Sequence, residues 1–412
     1  MKSSEDMRIL IVGAGHCGGR VVQYLREDGF LGRIELVGNE SSAPYERPPL
    51  SKDVLIGAKC LDELDLMTLD AMERLRVTRH IASVLAIDPK LNAAVLSNGE
   101  KLQYDALLFA NGGVPRRLNI PGEDLPNVMT LRNKVDALRL SENLKEGQHI
   151  VIIGGGFIGL EVAASAFKMG CRVILIEGAS QLMGRAVPKL LADRAQAVHL
   201  GKGVDIRLGV TPLQILKESN HLTLALSDGS TIPADAIVVG IGILPGVDIA
   251  RAAGIATDKG ILVDPQLRTN VKNIYAAGDV AEFPSPVSGT LVRQETWQNA
   301  ESQARVVASN LLGGHIDFQA SSWFWSDQYE YQLQVCGEPS AGVDTVVREQ
   351  EDGDLILFYI DKNNKIVGAC GWGVTSRIAK DLKIARTLVE RGIVTTSEIL
   401  ADRDTKLKSL LK

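Results

Sequence analysis

The sequence predicts an α/β chain built from two similar βαβ units, followed by a smaller α+β domain. A β-branched run that leads into a Gly-x-Gly-x-x-Gly turn occurs twice, at residues 8–18 and 149–159. Each turn is followed by a helical pattern, at 20–26 and 160–168, and then by a second apolar run. From Ser321 the composition changes to aromatic and β-rich segments that precede one helix. Such a succession is typical of a separate α+β domain.

The six glycines of the two turns have three separable roles in a Rossmann-like nucleotide-binding domain. One permits the tight turn, one lets the backbone approach a pyrophosphate, and one allows a helix to pack closely on a strand. In that order they are Gly13, Gly15 and Gly18 in the first turn and Gly154, Gly156 and Gly159 in the second. An acidic residue is expected about 20 residues later, on the ribose hydroxyls. Glu40 and Glu177 meet that requirement, so the chain is predicted to bind two nucleotides.

The second site is predicted to take NADH rather than NADPH. Glu177 would repel a 2′-phosphate, and the next three residues, Gly178, Ala179 and Ser180, offer no cation. Arg185 lies eight positions after Glu177 and could reach back, which leaves NADPH as the alternative.

Composition and charge exclude several other classes of protein. The 412 residues correspond to two to four domains at roughly 100–200 residues each, and a net charge of −5 disfavours general nucleic-acid binding. The polar, acidic start lacks the pattern of a signal peptide, and no apolar run approaches the ~18 residues of a membrane span. Five scattered cysteines argue against a disulfide framework, a metal site or a bound iron–sulfur cluster. We therefore expect a soluble, cytoplasmic protein with no membrane segment.

Strand and turn signals divide the chain further. The first nucleotide-binding domain is expected in two parts, 1–114 and 245–318, on either side of the second nucleotide-binding domain at 115–244, with the α+β domain at 319–412. The remaining predicted elements are buried strands at 104–113 and 236–243, a strand into a Gly-Asp turn at 273–280, strands at 222–226, 231–232, 345–348 and 355–360, and helices at 298–312 and 377–390.

Five longer motifs resemble the FAD-dependent pyridine nucleotide oxidoreductases, and more narrowly the NADH-dependent ferredoxin reductases of bacterial oxygenase and cytochrome P450 systems, of the putidaredoxin reductase and biphenyl dioxygenase reductase type. They are Pro-Tyr-Glu-Arg-Pro-Pro-Leu-Ser-Lys at 44–52, Gly-Gly-Gly-Phe-Ile-Gly-Leu-Glu at 154–161, Tyr-Ala-Ala-Gly-Asp at 275–279, Arg-Gln-Glu-Thr-Trp at 293–297 and Trp-Phe-Trp-Ser-Asp-Gln at 323–328. The resemblance implies FAD at the N-terminal site, NADH at the central site, and a C-terminal domain that helps to cover the flavin. Asn39 and Asn111 depart from the usual aspartate and threonine of this family.

The resemblance also implies a charged pair beside the flavin, Lys52 with Glu161. A ring that accepts a hydride gains negative charge, so a nearby cation with a partner of its own is useful there. Glu161 follows Gly159 inside the first helical turn, where the helix dipole stabilises a carboxylate. The alternatives are a solvated turn lysine and a plain helix-terminal charge.

Four further residues are assigned to FAD by the same resemblance. Arg47 lies within the first motif, and Asp279 would accept a hydrogen bond from the ribityl or phosphate region. Trp297 and Trp325 are candidates to border the isoalloxazine, because aromatic faces exclude water and stack on planar rings. The alternatives are a turn-forming Gly-Asp and tryptophans of a domain core.

The cysteine pattern decides between reactions. Disulfide reductases of this fold carry a Cys-x4-Cys pair opposite the flavin, whereas residues 44–55 contain no cysteine. Electrons that enter as a hydride would then leave singly to an external carrier, for which the resemblance implies a [2Fe–2S] ferredoxin. Two alternatives remain open, an NADH oxidase or peroxidase that uses Cys60, and a flavoprotein signalling or interaction factor. The negative charge and the lack of a targeting segment weigh against the second.

Acidic ferredoxins favour a local cationic docking face. Basic residues recur every three positions on the predicted C-terminal helix, and one more lies on an earlier helix. They are Arg377, Lys380, Lys383, Arg386 and Arg305. The alternative is a solvated helix face, since Asp381 and Glu390 lie nearby. Whether the protein is a monomer or a homodimer stays open.

Overall fold

The computed structural model describes residues 6–184, 186–350 and 353–411. Arg185, the candidate cation for a 2′-phosphate, lies outside these residues. The chain divides into two compact units. The first comprises Met1–Arg47, Asp62–Val114 and Leu244–Ser322, and the second comprises Pro48–Leu61, Pro115–Ile243 and Trp323–Lys412. The domain boundaries expected from the sequence remain predictions.

The chain begins with a parallel βαβ unit. Residues up to 115 form strands β1 (Arg8–Val12), β2 (Arg33–Gly38), β3 (Val77–Ile81), β4 (Val84–Asp88), β5 (Ala93–Leu96), β6 (Lys101–Gln103), β7 (Ala106–Phe109) and β8 (Gly113–Pro115), with helices α1 (His16–Glu27) and α2 (Leu69–Arg74). Four of the five residues of β1 are buried, which fits a parallel strand covered on both faces. Helix α1 begins after Gly15, directly beyond the first glycine turn.

The same pattern repeats in the next segment. Residues 128–245 form β9 (Val128–Thr130), α3 (Lys134–Ser141), β10 (His149–Ile153), α4 (Phe157–Lys168), β11 (Arg172–Glu177), α5 (Lys189–Gly201), β12 (Asp205–Leu208), β13 (Pro212–Lys217), β14 (Leu222–Leu226), β15 (Thr231–Ala234), β16 (Ala236–Val239) and β17 (Ile243–Pro245). The continuous strand predicted over 236–243 is wrong. The strand ends at Val239 because the glycines that follow turn the backbone, Gly242 with a φ of +94°.

A third segment completes the first unit. Residues 248–311 form α6 (Asp248–Ala252), β18 (Ile261–Leu262), β19 (Ile274–Ala276), β20 (Ala281–Pro284), β21 (Leu291–Val292) and α7 (Trp297–Leu311), with a 3-10 turn at Gly278–Val280. Thr296 is the N-cap of helix α7, and its side chain accepts a hydrogen bond from the Asn299 N–H.

The C-terminal segment is antiparallel. It forms β22 (Trp323–Gln328), β23 (Tyr331–Gly337), β24 (Asp344–Glu349), β25 (Leu355–Ile360), β26 (Ile366–Val374), α8 (Thr375–Glu390) and α9 (Ser397–Ala401). The sheet order is β22-β23-β26-β25-β24. Its core lies between the sheet and α8, where Phe358, Ala385 and Leu388 are fully buried.

Two parallel sheets position the candidate sites. In the first unit the order is β19-β7-β1-β2-β3, and in the second it is β12-β11-β10-β16-β9. Each glycine turn follows the central strand, β1 or β10, at its carboxyl end. Ligands of such sheets bind at this edge. The two parallel sheets and the antiparallel C-terminal sheet confirm the predicted α/β fold with two Rossmann-like domains and an α+β domain. In the described part of the chain, no helix is long and apolar enough to cross a membrane.

Candidate nucleotide-binding and redox sites

The first glycine turn is shaped by close backbone contacts. Gly13 has a φ of +115°, and a Cβ there would lie 2.3 Å from the Ala110 carbonyl oxygen. A Cβ on Gly18 would lie 2.0 Å from the carbonyl oxygen of Gly13. At Gly15 the nearest atom to such a Cβ is Arg47 Nη2, at 3.8 Å. The protein's own packing therefore requires Gly13 and Gly18 but not Gly15, which fits a position kept small for a ligand.

An oriented carboxylate lies beside this turn. Glu40 Oε1 accepts a hydrogen bond from Arg47 Nη2 at 2.8 Å, and Glu40 Oε2 accepts one from the Tyr45 hydroxyl at 2.5 Å. Because Arg47 also approaches Gly15, the structure brings three of the predicted FAD residues together. Tyr45 belongs to the 44–52 motif but was not singled out from the sequence.

Asp279 and Trp297 both border the first turn of α1. Asp279 lies in the 3-10 turn next to Gly278, where a Cβ would lie 3.2 Å from Cys17 Cβ. Burial, and secondarily the charges of Asp279 and Glu301, raise the pKa of the Cys17 thiol. The Trp297 ring lies 5.2 Å from the His16 ring, and its Nε1 donates to Glu46 Oε1 at 3.3 Å.

Sequence reasoning missed a carboxylate held by one face of α1. Glu301 accepts hydrogen bonds from His16 Nε2 at 2.8 Å, from Arg20 Nη2 at 2.7 Å and from the Tyr24 hydroxyl at 2.5 Å. Burial raises the pKa of Glu301, but these donors outweigh it and lower the pKa to about 2. The signal in the sequence was the four-residue spacing of the three donors, which places them on one helix face.

The second glycine turn repeats the geometry of the first. Gly154 has a φ of +112°, and its Cβ would lie 2.4 Å from the Gly240 carbonyl oxygen. A Cβ on Gly159 would lie 2.0 Å from the carbonyl oxygen of Gly154, whereas one on Gly156 would meet nothing within 4 Å. Glu177 accepts hydrogen bonds from the N–H of Gly155 at 2.7 Å and of Ala179 at 2.8 Å. The acidic residue is thus fixed against its own glycine turn.

Lys52 and Glu161 are brought together in the second unit. Glu161 is only 4% exposed, and its Oε1 lies 3.6 Å from Lys52 Nζ. Ser51 Oγ donates to Glu161 Oε2 at 2.5 Å, and Ser326 Oγ donates to Oε1 at 2.8 Å. Burial raises the pKa of Glu161, although Lys52 and the two hydroxyls act in the opposite direction.

The expected helix-dipole stabilisation of Glu161 is wrong. Helix α4 begins at Phe157, so Glu161 is its fifth residue and lies beyond the first turn, within which a helix dipole acts. The donors named above stabilise the charged carboxylate instead.

Asp327 is a second partner of Lys52 that sequence reasoning did not identify as one. Its Oδ2 lies 3.2 Å from Lys52 Nζ, closer than Glu161 does, and it accepts a hydrogen bond from Trp325 Nε1 at 3.0 Å. The Trp325 ring centroid lies 5.5 Å from Lys52 Nζ, and the ring stacks on Trp323 at 4.8 Å. The predicted residues Lys52, Glu161 and Trp325 therefore form one cluster with Asp327.

The basic residues of α8 do not form a single straight row. Steps of three residues move about 60° backwards around a helix with 3.6 residues per turn, so the four are spread over half its circumference. Arg377 Nη2 contacts the buried Asp354 at 2.7 Å, and Arg386 Nε contacts Glu390 at 2.7 Å. Lys380 and Lys383 are exposed.

Two other predicted residues lie elsewhere. Arg305 belongs to the first unit, where its Nη2 contacts Asp28 at 2.9 Å. The described residues include all five cysteines, each carrying a thiol, and Cys60 is exposed whereas the other four are buried.

Comparisons with known proteins agree with this geometry. The family model for pyridine nucleotide-disulphide oxidoreductases matches residues 7–304, and a reductase C-terminal family model matches 323–411. The ferredoxin–NAD(+) reductase component of the p-cumate 2,3-dioxygenase system of Pseudomonas putida is 38% identical over 97% of this chain and 97% of its own. Rhodocoxin reductase of Rhodococcus erythropolis is 36% identical over 98% and 94%.

Solved structures give the same result. The ferredoxin reductase for the CYP199A2 system of Rhodopseudomonas palustris matches with a TM-score of 0.92 and 34% identity, over 98% of this chain and 99% of that one. The reductase in the covalent putidaredoxin reductase–putidaredoxin complex matches with a TM-score of 0.93 and 31% identity, over 98% of each chain. The resemblance predicted from the motifs is confirmed: this chain belongs to the pyridine nucleotide-disulphide oxidoreductase family, whose members of this type use FAD and NADH.

Proposed function

We propose that the chain is a cytoplasmic, FAD-dependent NADH:ferredoxin oxidoreductase that supplies electrons to a bacterial oxygenase or cytochrome P450. One observation carries the proposal: Lys52, in the motif where disulfide reductases carry their cysteine pair, is paired with the buried Glu161 and the partly exposed Asp327. Names of relatives support it, since they include reductase components of the p-cumate and anthranilate dioxygenase systems.

The first unit holds FAD. Gly15 leaves its Cα open to a pyrophosphate at the N-terminus of α1, where free N–H groups favour negative charge. Glu40, oriented by Arg47, is placed to bind ribose hydroxyls. Asp279 and Trp297 would contact FAD from the side of the first turn of α1. Internal packing does not require a glycine at position 15, which fits a position kept small for FAD.

The second unit holds NADH. Gly156 leaves space at the N-terminus of α4, as Gly15 does at α1. The Glu177 carboxylate accepts two backbone N–H bonds, which fix it where ribose hydroxyls would approach. A fixed anion there repels a 2′-phosphate, so NADH is preferred to NADPH.

Bound FAD supplies the redox chemistry, taking a hydride from NADH and giving up its electrons singly. The residues of this chain provide charge and position. Lys52 provides a positive charge at a position where only 17% of its side chain is exposed. Glu161 and Asp327 hold its ammonium group in place. Trp325, hydrogen-bonded through Nε1, presents a planar face next to Lys52 and excludes water.

The electron acceptor is a [2Fe–2S] ferredoxin. Residues 44–55 offer no thiol to relay an electron pair to a disulfide. Lys380 and Lys383 are exposed on α8 and provide positive charge for an acidic partner. Arg377 and Arg386 contribute less, because each is engaged in an ion pair within the chain.

Anaerobic rapid mixing tests the proposal. NADH is added to the purified yellow protein with excess oxidised [2Fe–2S] ferredoxin, and flavin and cluster absorbance are followed separately. Fast flavin bleaching followed by cluster reduction is expected. Lys52→Met should slow the bleaching, whereas the matched exposed variant Lys189→Met should not. Flavin reduction without transfer to any of several ferredoxins would overturn the choice of acceptor. Oxygen or peroxide consumption that depends on Cys60 would then indicate an oxidase or peroxidase, and slow flavin reduction would indicate a signalling factor.

A further inference from the structure

A chain of buried side chains leads from Glu161 into the interior of the second unit. Ser326 Oγ donates to Glu161 Oε1 at 2.8 Å, and Gln328 Nε2 donates to Ser326 Oγ at 3.2 Å. Gln328 Oε1 lies 3.0 Å from His199 Nε2, and the Tyr329 hydroxyl lies 3.0 Å from His199 Nδ1. Ser326, Gln328 and His199 are each 0% exposed.

The donors in this chain all point in one direction. Because the Gln328 amide nitrogen donates to Ser326, its carbonyl oxygen must accept, so the proton of a neutral His199 lies on Nε2. Nδ1 then accepts from the Tyr329 hydroxyl. Each group donates toward Glu161, and successive bonds of this kind polarise one another. The chain therefore favours the ionised form of Glu161 and fixes the orientation of its Oε1.

We propose that Gln328, His199 and Tyr329 are positioning residues, which act through Ser326 to keep Glu161 ionised and directed at Lys52. The proposal rests on the proposed function, because it takes the charge of Glu161 to matter for hydride transfer from NADH to FAD. It links helix α5 of the NADH-binding segment with strand β22 of the C-terminal sheet, and neither residue type nor spacing marks this link in the sequence.

Charges around the chain are compatible with this role. Two charged groups face Glu161. They are Lys52, which directly follows the 3-10 helix at Pro48–Ser51, and Asp327, which lies on β22. Burial lowers the pKa of His199 to about 4, so its ring is neutral at physiological pH and keeps the tautomer that the chain needs. Tyr329 stands at the far end, packed against the His199 ring at 4.9 Å and beneath Lys202 Nζ at 5.4 Å.

Infrared difference spectroscopy of the oxidised holoprotein tests the proposal without turnover. A pH titration follows the C=O stretch of protonated Glu161, identified by its loss in Glu161→Gln. Removing the middle of the chain with the similarly sized Gln328→Met should raise the pKa of Glu161 by about 0.1–0.7 unit, because Ser326 still donates to the carboxylate but loses the polarisation that strengthens a charged hydrogen bond by roughly 10–30%. Tyr329→Phe removes only the last donor and should raise the pKa by less than half as much.

Gln350→Met is the matched control. Gln350 follows β24 and donates to Asp381 Oδ2 at 3.0 Å, outside the chain to Glu161. It should leave the pKa of Glu161 unchanged. The acidic limb of the NADH-to-flavin rate should move with the infrared pKa in each variant.

Equal shifts in Gln328→Met and Gln350→Met, or a Tyr329→Phe shift as large as that of Gln328→Met, would overturn the proposal in favour of general loosening. Tyr329→Phe keeps the test decisive if Gln328→Met unfolds, because any shift it causes is compared with the same control. A wild-type protein whose flavin NADH does not reduce would refute the proposed function instead, and the infrared titration would still report the chain.

Discussion

Two neighbouring glycines of the second turn should respond oppositely to the same methyl group. A Cβ on Gly156 meets no protein atom within 4 Å, and its backbone has an extended conformation that alanine adopts. We expect Gly156→Ala to cost at most about 1 kcal/mol of folding stability, the difference between glycine and alanine as helix N-caps. The methyl group would instead occupy the approach to the pyrophosphate. Losing one charged hydrogen bond there costs about 1.5–3 kcal/mol, which weakens NADH binding about 10- to 150-fold.

Gly159→Ala should act on the fold. The added Cβ would lie 2.0 Å from the Gly154 carbonyl oxygen, about 1 Å inside the shortest contact that real Cβ atoms make. The oxygen belongs to the backbone and the backbone fixes the position of a Cβ, so no side-chain rotation relieves the overlap. Overpacking of this kind costs about 1–3 kcal/mol when a core can shift, and we expect a loss at or above the upper end.

Urea unfolding and NADH titration of the flavoprotein separate the two effects. Gly201→Ala is the matched control, because Gly201 ends helix α5 and its Cβ would also meet nothing within 4 Å. It should leave NADH affinity unchanged and raise stability by up to about 1 kcal/mol. The reasoning fails if Gly156→Ala binds NADH as tightly as the wild type, or if it unfolds as readily as Gly159→Ala.

Three further predictions concern stability, docking and the cysteine. The folded pKa of Glu301, about 2, lies below its ordinary 4.5, so its stabilisation is present above pH 4.5 and is lost as pH falls through 2. Urea unfolding of the wild type should show a loss of about 2 kcal/mol between pH 6 and pH 3, and Glu301→Gln should abolish that loss. Reversing the charges of Lys380 and Lys383 should slow ferredoxin reduction roughly tenfold at low salt, leave NADH-to-flavin transfer intact, and have little effect near 1 M salt; equal rates would remove these residues from docking. Cys60→Ser should leave ferredoxin reduction within about twofold, and a larger loss would favour a thiol mechanism.

The last glycine of each turn has a local physical requirement, whereas the contacts at Gly13 and Gly154 come from Ala110 and Gly240, far along the chain. The atom that excludes a side chain at Gly18 belongs to Gly13, and the atom that excludes one at Gly159 belongs to Gly154. In each case the two glycines are five positions apart, so both belong to the same motif. The same holds for the strands, where short buried runs and turn residues occur together.

Contacts between distant segments could not be predicted in this way. Lys52 and Asp327 are separated by 275 positions, and His16 and Glu301 by 285, so only the folded chain brings them together. Even where a motif names a residue, as for Glu161, its electrostatic environment depends on Ser326 and Lys52 from other segments. The expected helix-dipole effect was wrong for a local reason, because α4 begins at Phe157, before Gly159 and not after it.

The motif names a pair, but the structure contains a triad. Lys52 lies 3.2 Å from Asp327 and 3.6 Å from Glu161, so one ammonium group is shared between two carboxylates. The two carboxylates are not equivalent. The Asp327 side chain is 36% exposed and retains water, whereas that of Glu161 is 5% exposed and depends on protein donors. Asp327 can therefore fix the position of Lys52 at little cost, while the protonation of Glu161 is controlled by Ser51, Ser326 and the chain behind them. A cation tuned by one buried and one solvated anion is suited to a site whose charge changes during each turnover.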